Sequence, residues 1–501
     1  MMKKMIWILV LAFCFVSRAE ANNLRVSNAE LKNLDTSAQT LGVEFDISWN
    51  NSWRDGLNYD AAWVFMKYST DNGTTWRQAT LSLSGTNPSG FSTGAGTAVE
   101  LVVPTDLRGC FVQRSASGNG ALSTTDVQVL WDYAVDGLND PDAYSAIILK
   151  IVAVEMVYVP QGAFYAGDNA ASAASLKSGS SDSDSWAVAG NASIPVTAAA
   201  SNGFYYVSGG NLNEDATGSV FTVPSAFPEG YDAFYAMKYE VTEGQWVEFF
   251  NTLTPAQKTT RDITSASGKN SDGTVNRNTV AWTSGNASTS REDRACSYLS
   301  WMDGCAFADW AGLRPLTELE FEKLGRGTAA PVNGEYAWGS ASGTAATAIS
   351  GSEDGTETVS APANGHFNNV SLNGGDGSSG PLRAGIFATS SSTRATAGAG
   401  FYGHMELSGN LSERCVTVGN AAGRSFVGTH GDGSLSLNGA ATNSDWPGVS
   451  AGEVTGAAGA GYRGGNWFDG SADAWVSDRG TAAQENTGRS NSAGFRAGRS
   501  A

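Results

Sequence analysis

Val43, Phe45, Ile47 and Trp49 are apolar at every second position, with polar or charged residues between them. That period of two predicts a strand buried on one face. The run from Ala62 to Tyr68 predicts a second strand, Asp71-Asn72-Gly73 a turn, and Thr75-Trp76 the opening of a third strand. Two more alternating sets, Val127, Val129, Trp131 and then Ile147, Leu149, Ile151, close the region. Residues 22–154 therefore read as an all-β, immunoglobulin-like or fibronectin-like sandwich. No cluster of reactive side chains stands out there, so a spacer or assembly module is the expectation.

The pattern changes at Met156, where MVYVPQGAFYAGD begins a second region. Residues 169–220 are rich in Ala, Ser, Gly and Asp, with few large apolar groups outside Tyr205-Tyr206-Val207. They read as a partly disordered surface insertion that cannot fold alone. Three helix starts follow. Thr242-Glu243-Gly244-Gln245 is a capping box, after which Trp246, Phe249, Phe250 and Leu253 share one face. Ser300-Trp301-Met302-Asp303 is a second start, and Thr317-Glu318-Leu319-Glu320 a third capping box. Glu318, Glu320 and Glu322 read as helix surface and cap rather than acid-base catalysts. Beyond Gly327 the chain is dense in Gly and Ser, which predicts long ordered loops. Such loops need support besides regular hydrogen bonding, and bound metal is the usual one.

Residues 1–21 read as a secretory signal: Lys3 and Lys4, an apolar run from Met5 to Val16, and Ala19-Glu20-Ala21 before a cleavage at Asn22. No later stretch reads as a transmembrane helix, so the expected location is secreted, periplasmic or cell-surface. The net charge of −18, with no Lys/Arg cluster, argues against nucleic acid as a partner. Cys110, Cys296, Cys305 and Cys415 could form one bridge, with Cys296–Cys415 one candidate pairing, but no CxxC occurs. His366, His404 and His430 have no zinc-ligand spacing.

Five segments in order carry a family resemblance: MVYVPQGAFYAG (156–167), FYAMKYEVTEGQWVEFFN (234–251), YLSWMDGCAFADWAGLRPLTELEFEKLGRG (298–327), FYGHMELSGNLSER (401–414), and RGG with GFR at 463–496. Together they resemble the formylglycine-generating enzyme (sulfatase-modifying factor) family over residues 155–501. The resemblance implies an α+β, C-type-lectin-like fold with few helices and long loops. It also implies two calcium ions, one held by Asn369, Val370, Asp376 and Ser378, the other by Glu406, Gly409, Leu411 and Glu413. Hard oxygen ligands on Gly-containing loops suit calcium on chemical grounds as well.

The family's oxidase chemistry is harder to place. It needs two cysteines a few residues past RGG, where thiolates would hold Cu(I). Asp469 and Ala474 stand at those positions, and no cysteine follows Cys415. Ser412 and Arg414 replace aromatic residues beside the family's cleft. No catalytic residue is therefore assigned, and copper is not expected. The last segment reads instead as a displayed surface, with Phe468, Asp469, Ser471, Asp473, Trp475 and Asp478 as candidate ligand contacts. Trp467 reads as core because the family has an aromatic residue there. Such a segment is similar to the diversified region of retroelement variable proteins, which share this scaffold. Arg463 and Arg496 read as buried hydrogen-bonding groups rather than anion binders. Three functions stay open: a calcium-stabilised module binding a protein or glycan on a cell surface, an oxidase of protein cysteines through an unfamiliar metal site, and a structural envelope protein.

Overall fold

The alternating residues Val43 to Trp49 lie in the strand Thr40–Arg54, pointing into the core while Glu44, Asp46 and Ser48 face outward. The computed structural model describes residues 18–19, 21–138, 147–168, 172, 174–180, 182–199, 201–272, 274–360 and 362–501. Most of the expected signal segment, 1–21, lies outside them. The chain divides into two compact units, residues 1–155 with Thr252–Thr254, and residues 156–251 with 255–501.

In the first unit, Thr40–Arg54 pairs with Leu24–Asp35 on one side and Gly118–Asp132 on the other, all antiparallel. A second set of strands runs in the order Gly85–Thr86, Val99–Val103, Cys110–Arg114, Asp60–Ser69. Phe45, Ile47, Trp49 and Trp131 from the first set share one core with Val64, Met66 and Leu101 from the second. Asp60 anchors this core by accepting from Trp49 Nε1 at 2.8 Å and from Ser52 Oγ at 2.9 Å. The turn at Asp71 forms as expected, with Asn72 and Gly73 in the left-handed region (φ 58° and 80°). The next strand is shorter and later than expected, Arg77–Gln78.

The second unit has five helices among its described residues: α1 (Glu243–Phe250), α2 (Pro255–Arg261), α3 (Trp301–Trp310), α4 (Glu318–Arg326) and α5 (Ala421–Arg424). Reciprocal capping boxes start α1 at Thr242, α3 at Ser300 and α4 at Thr317. Each satisfies N-terminal donors that would otherwise be orphaned. Gly304 lets α3 lie flat against Phe495, since a Cβ there would fall 2.2 Å from the ring. Phe234–Met237 pairs with the second half of the strand Ile148–Val159 and with Ala497–Ser500. No helix of the described residues is long and apolar enough to cross a membrane.

Three expectations are corrected here. The described residues of 169–220 are folded: Lys177–Ser178, Phe204–Tyr205, Ile194–Thr197 and Phe221–Val223 form a four-stranded sheet. Leu176, Trp186 and Tyr206 are fully buried, and the insertion is tied to its host where Trp186–Val188 pairs with Phe164–Ala166 and where Arg479 lies over the Tyr206 ring. The glutamates of α4 are not helix surface. Glu318 accepts from both Arg463 and Arg479, Glu322 from Arg463 and Arg326, and Glu320 from Arg314, all buried. Finally, all four described cysteines are buried, free thiols, with no Cys296–Cys415 bridge.

Candidate functional site

The C-terminal segment hangs from a three-stranded sheet in which Ser412–Val416 lies between Ala460–Arg463 (antiparallel) and Ala493–Gly494 (parallel). Arg463 at its start donates to Glu318 Oε2 (3.1 Å) and Glu322 Oε1 (2.8 Å). Arg496 at its end donates to both oxygens of Glu413, at 2.8 and 2.6 Å, and to the carbonyls of Met237, Lys238 and Met405. Both arginines are buried, as expected of charge-assisted pairs. Two buried arginines, in three ion pairs, therefore fix the ends of a loop that has little regular structure of its own.

Inside the loop, Asn466 sets the first turn. Its Oδ1 accepts from the amides of Phe468 and Asp469, and its Nδ2 donates to Ser412 Oγ and Asp469 Oδ2. Trp467 is core, 2 % exposed, with Nε1 on the Asn491 carbonyl. The next side chain faces the opposite way: Phe468 is 57 % exposed. Asp469 and Ser471 are half-buried and Asp473 is exposed. Burial, then the neighbouring Asp473 charge, pushes the Asp469 carboxyl up to about 6. Ala474 packs into a cluster with Phe367 and the stacked rings of Tyr336 and Trp338, against which the half-buried Trp475 leans. Asp478 differs from the other candidate contacts: it is buried and its Oδ1 accepts from the Gly480 amide, a turn-stabilising role. Five of the six candidates, Phe468 to Trp475, thus stand at least partly in solvent on a buried frame.

The positions beside the family's cleft are filled. Ser412 is buried and its Oγ accepts from Asn466. Arg414 is buried, lies over the Tyr462 ring, and donates to the carbonyls of Leu299, Asn486 and Gly488. It clamps the 486–488 turn. Asp469 and Ala474 supply a carboxyl and a methyl where thiolates would be needed, and the thiol of Cys415 is buried in the sheet, pushed well up by that burial.

The two expected calcium loops differ in how well their residues suit a cation. In the first, Asn369 and Ser378 hold left-handed backbone (φ 49° and 60°), and the Asn369 amide donates to the Trp467 carbonyl at 2.8 Å. Asp376, however, already receives Arg291 through two bonds, at 2.9 and 2.6 Å, and Arg294 at 2.7 Å. Arg294 also pairs with Glu353, which accepts from Arg277 Nη2 at 2.5 Å and from the Asp376 amide at 2.6 Å. Three guanidinium groups thus face two carboxylates. Arg291 and Arg294 hold the Asp376 carboxyl down at about 2. A calcium ion here would meet an excess of positive charge, so the residues of this loop do not fit one.

The second loop has the opposite balance. Glu406, in left-handed backbone (φ 58°), accepts from the Gly385 amide through Oε1, while its buried Oε2 has no hydrogen-bond partner. Glu413 is committed to Arg496, and Glu240 accepts from the Leu411 amide at 2.9 Å and from Asn410 Nδ2. Three buried carboxylates therefore share one buried guanidinium. Burial pushes Glu406 up to about 7 and raises Glu240 and Glu413 as well. Arg383, the other cation acting on Glu406, is paired with Glu357 at 3.3 Å. Glu406 offers a hard carboxylate oxygen of the kind calcium takes, in a place short of positive charge; the carbonyls of Gly409 and Leu411 remain the donors that the family resemblance implies beside it.

Comparison with known proteins places this geometry. No curated protein matches the chain. Among solved structures, Treponema denticola variable protein 1 is similar over 70 % of this chain and 96 % of its own, at 13 % identity and a TM-score of 0.30. The model of the sulfatase-modifying factor enzyme 1-like domain matches residues 151–501. That span covers the five motif segments, the three capped helices and the RGG-to-GFR loop, and the chain belongs to this family.

Proposed function

We propose that the chain is a ligand-binding module that uses the sulfatase-modifying scaffold for display rather than for oxidation. One observation carries the reading. The segment that holds the family's copper thiolates has, instead, Asp469 and buried Ala474, with Phe468, Ser471, Asp473 and Trp475 presented on a frame fixed at both ends by buried arginines. An aromatic ring beside short polar groups is an economical contact surface, because the ring brings area at low entropic cost and the polar groups adapt. Asp469 and Asp473 give the patch a negative character, which suits a partner with donors or positive charge. The partner is a protein or glycan on a cell surface, and the module acts outside the cytoplasm. Calcium, held by Glu406 and the neighbouring carbonyls, stabilises the loop beneath the display segment.

Sequencing this segment and its flanking DNA in independent isolates tests the proposal. Display predicts substitutions concentrated at 468, 469, 471, 473 and 475, with Arg463, Trp467, Val476, Ser477 and Arg479 unchanged. A nearby copy of the segment differing at adenines would identify retroelement diversification as their source. Substitutions spread evenly over buried and displayed positions would contradict the display reading.

A further inference from the structure

A second candidate binding place lies away from the C-terminal segment, between the 338–344 and 386–396 loops. It is a cavity of about 520 Å³, within the size range of small-molecule sites. Its floor is the outer face of a small core cluster, through Ile386, Phe387 and Val359. Of the described residues that line it, none carries a charge and eight carry a serine or threonine hydroxyl, among them Thr344 and Ser391. This is unusual chemistry for a chain of net charge −18. Arg394, next in the chain to the lining residue Ala395, donates to the carbonyls of Gly325 and Ala337 at 2.7 Å.

The walls are preformed. Asn364 ties them together, accepting from the Thr344 amide at 2.8 Å and donating to the Ala395 carbonyl at 3.0 Å. Trp338 Nε1 donates to the Ser342 carbonyl at 2.9 Å and holds the opposite side. A ligand entering would not have to order these loops, which removes a common cost of binding.

We infer that this cavity binds an uncharged saccharide, a terminal ring of a neutral glycan or a free neutral sugar. Charged ligands lose hydration there and find no counter-ion. A sugar ring matches both surfaces: its C–H face meets the apolar floor, and its hydroxyls, each donor and acceptor, meet hydroxyls that are donors and acceptors too. The inference is independent of the display segment, and either can fail alone.

The test is saturation-transfer NMR and calorimetry on the full chain with a panel of neutral methyl glycosides, beside glucosamine, glucuronic acid and the neutral apolar dye Nile red. Ala395→Trp and Ser391→Trp, at exposed rim positions, fill the cavity without touching the core. The expected result is saturable binding of at least one neutral glycoside, weakened at least tenfold by either variant at unchanged melting temperature and unaffected by Phe468→Ala. Glycan-bearing and free sugars are told apart by comparing a methyl glycoside with the same ring at the end of an oligosaccharide. Binding of the charged sugars in preference, binding of the dye alone, or glycoside binding that both filled variants retain would each overturn the inference.

Discussion

Replacing Glu406 by Gln should change how the stability of the second unit depends on pH and calcium. The carboxyl is buried, one oxygen has no partner, and its titration point rises from the ordinary 4.5 to about 7. A raised carboxyl pKa means that the folded state binds the proton more tightly than the unfolded chain. The associated stability is complete below the unfolded pKa and is lost as pH rises through about 7. The rise spans about 2.5 pH units, so ionising Glu406 in the calcium-free protein costs about 3 kcal/mol. Calcium bound at a hundred times its dissociation constant would return ~2.7 kcal/mol. Urea denaturation of the wild type and of Glu406→Gln, at about pH 5 and about pH 8, with calcium or with EDTA, reads both effects. In EDTA the wild type should lose ~3 kcal/mol more than the variant between those pH values. Calcium should restore most of that at the higher pH in the wild type and little in the variant. Titrating groups outside the Glu240–Glu406–Glu413 cluster cancel in the difference between the proteins, and the Glu406 charge that raises Glu240 counts as part of the effect read. Identical pH profiles in EDTA, or equal calcium responses, would mean that Glu406 neither titrates in this range nor holds calcium.

Four further outcomes follow from the same geometry. Asp376→Asn should cost about 1–3 kcal/mol by leaving Arg291 and Arg294 under-paired, and should leave the calcium response unchanged, as read by denaturation with and without EDTA. Arg479→Met leaves Glu318 with one guanidinium in a fully buried place and should cost about 3–5 kcal/mol by thermal or urea melting. Phe468→Ala and Asp473→Lys should stay within about 0.5 kcal/mol of wild type, whereas Ala474→Leu overpacks the Tyr336–Phe367 stack and should cost about 1–3 kcal/mol. Trp186→Ala should cost about 3–5 kcal/mol and open residues 174–199 to limited proteolysis, an outcome that a loosely attached insertion would not give.

What the sequence disclosed was mostly local. The capping boxes at Thr242, Ser300 and Thr317 are set by residues three apart, and strand alternation at Val43 to Trp49 by residues two apart, so both are visible in a short window. The family motifs placed Arg463 and Arg496 as buried pairs for the same reason: the pattern travels with the fold. The partners of α4 were not visible. Glu318 meets Arg463 and Arg479 across 145 and 161 residues, and a helix carrying three glutamates looks solvated until those arginines arrive. The insertion misled through composition, because its few large apolar residues, Leu176, Trp186 and Tyr206, are nonetheless buried once Trp186–Val188 pairs with Phe164–Ala166 and Arg479 covers Tyr206. The family resemblance implied Asp376 as a calcium ligand, and only the fold brings Arg291 and Arg294 to it from about eighty residues away. In the C-terminal segment, sequence could not tell Asp478, folded back on Gly480, from Asp473, which faces solvent.

Display in place of copper thiolates, as proposed for this scaffold, is tested by mass spectrometry of a cysteine-containing peptide incubated with the full chain, copper(I) and oxygen. The peptide thiol should survive at the rate seen without protein, in the wild type and in Asp469→Asn alike. Catalytic conversion of that cysteine to an aldehyde, above the protein-free rate, would contradict it.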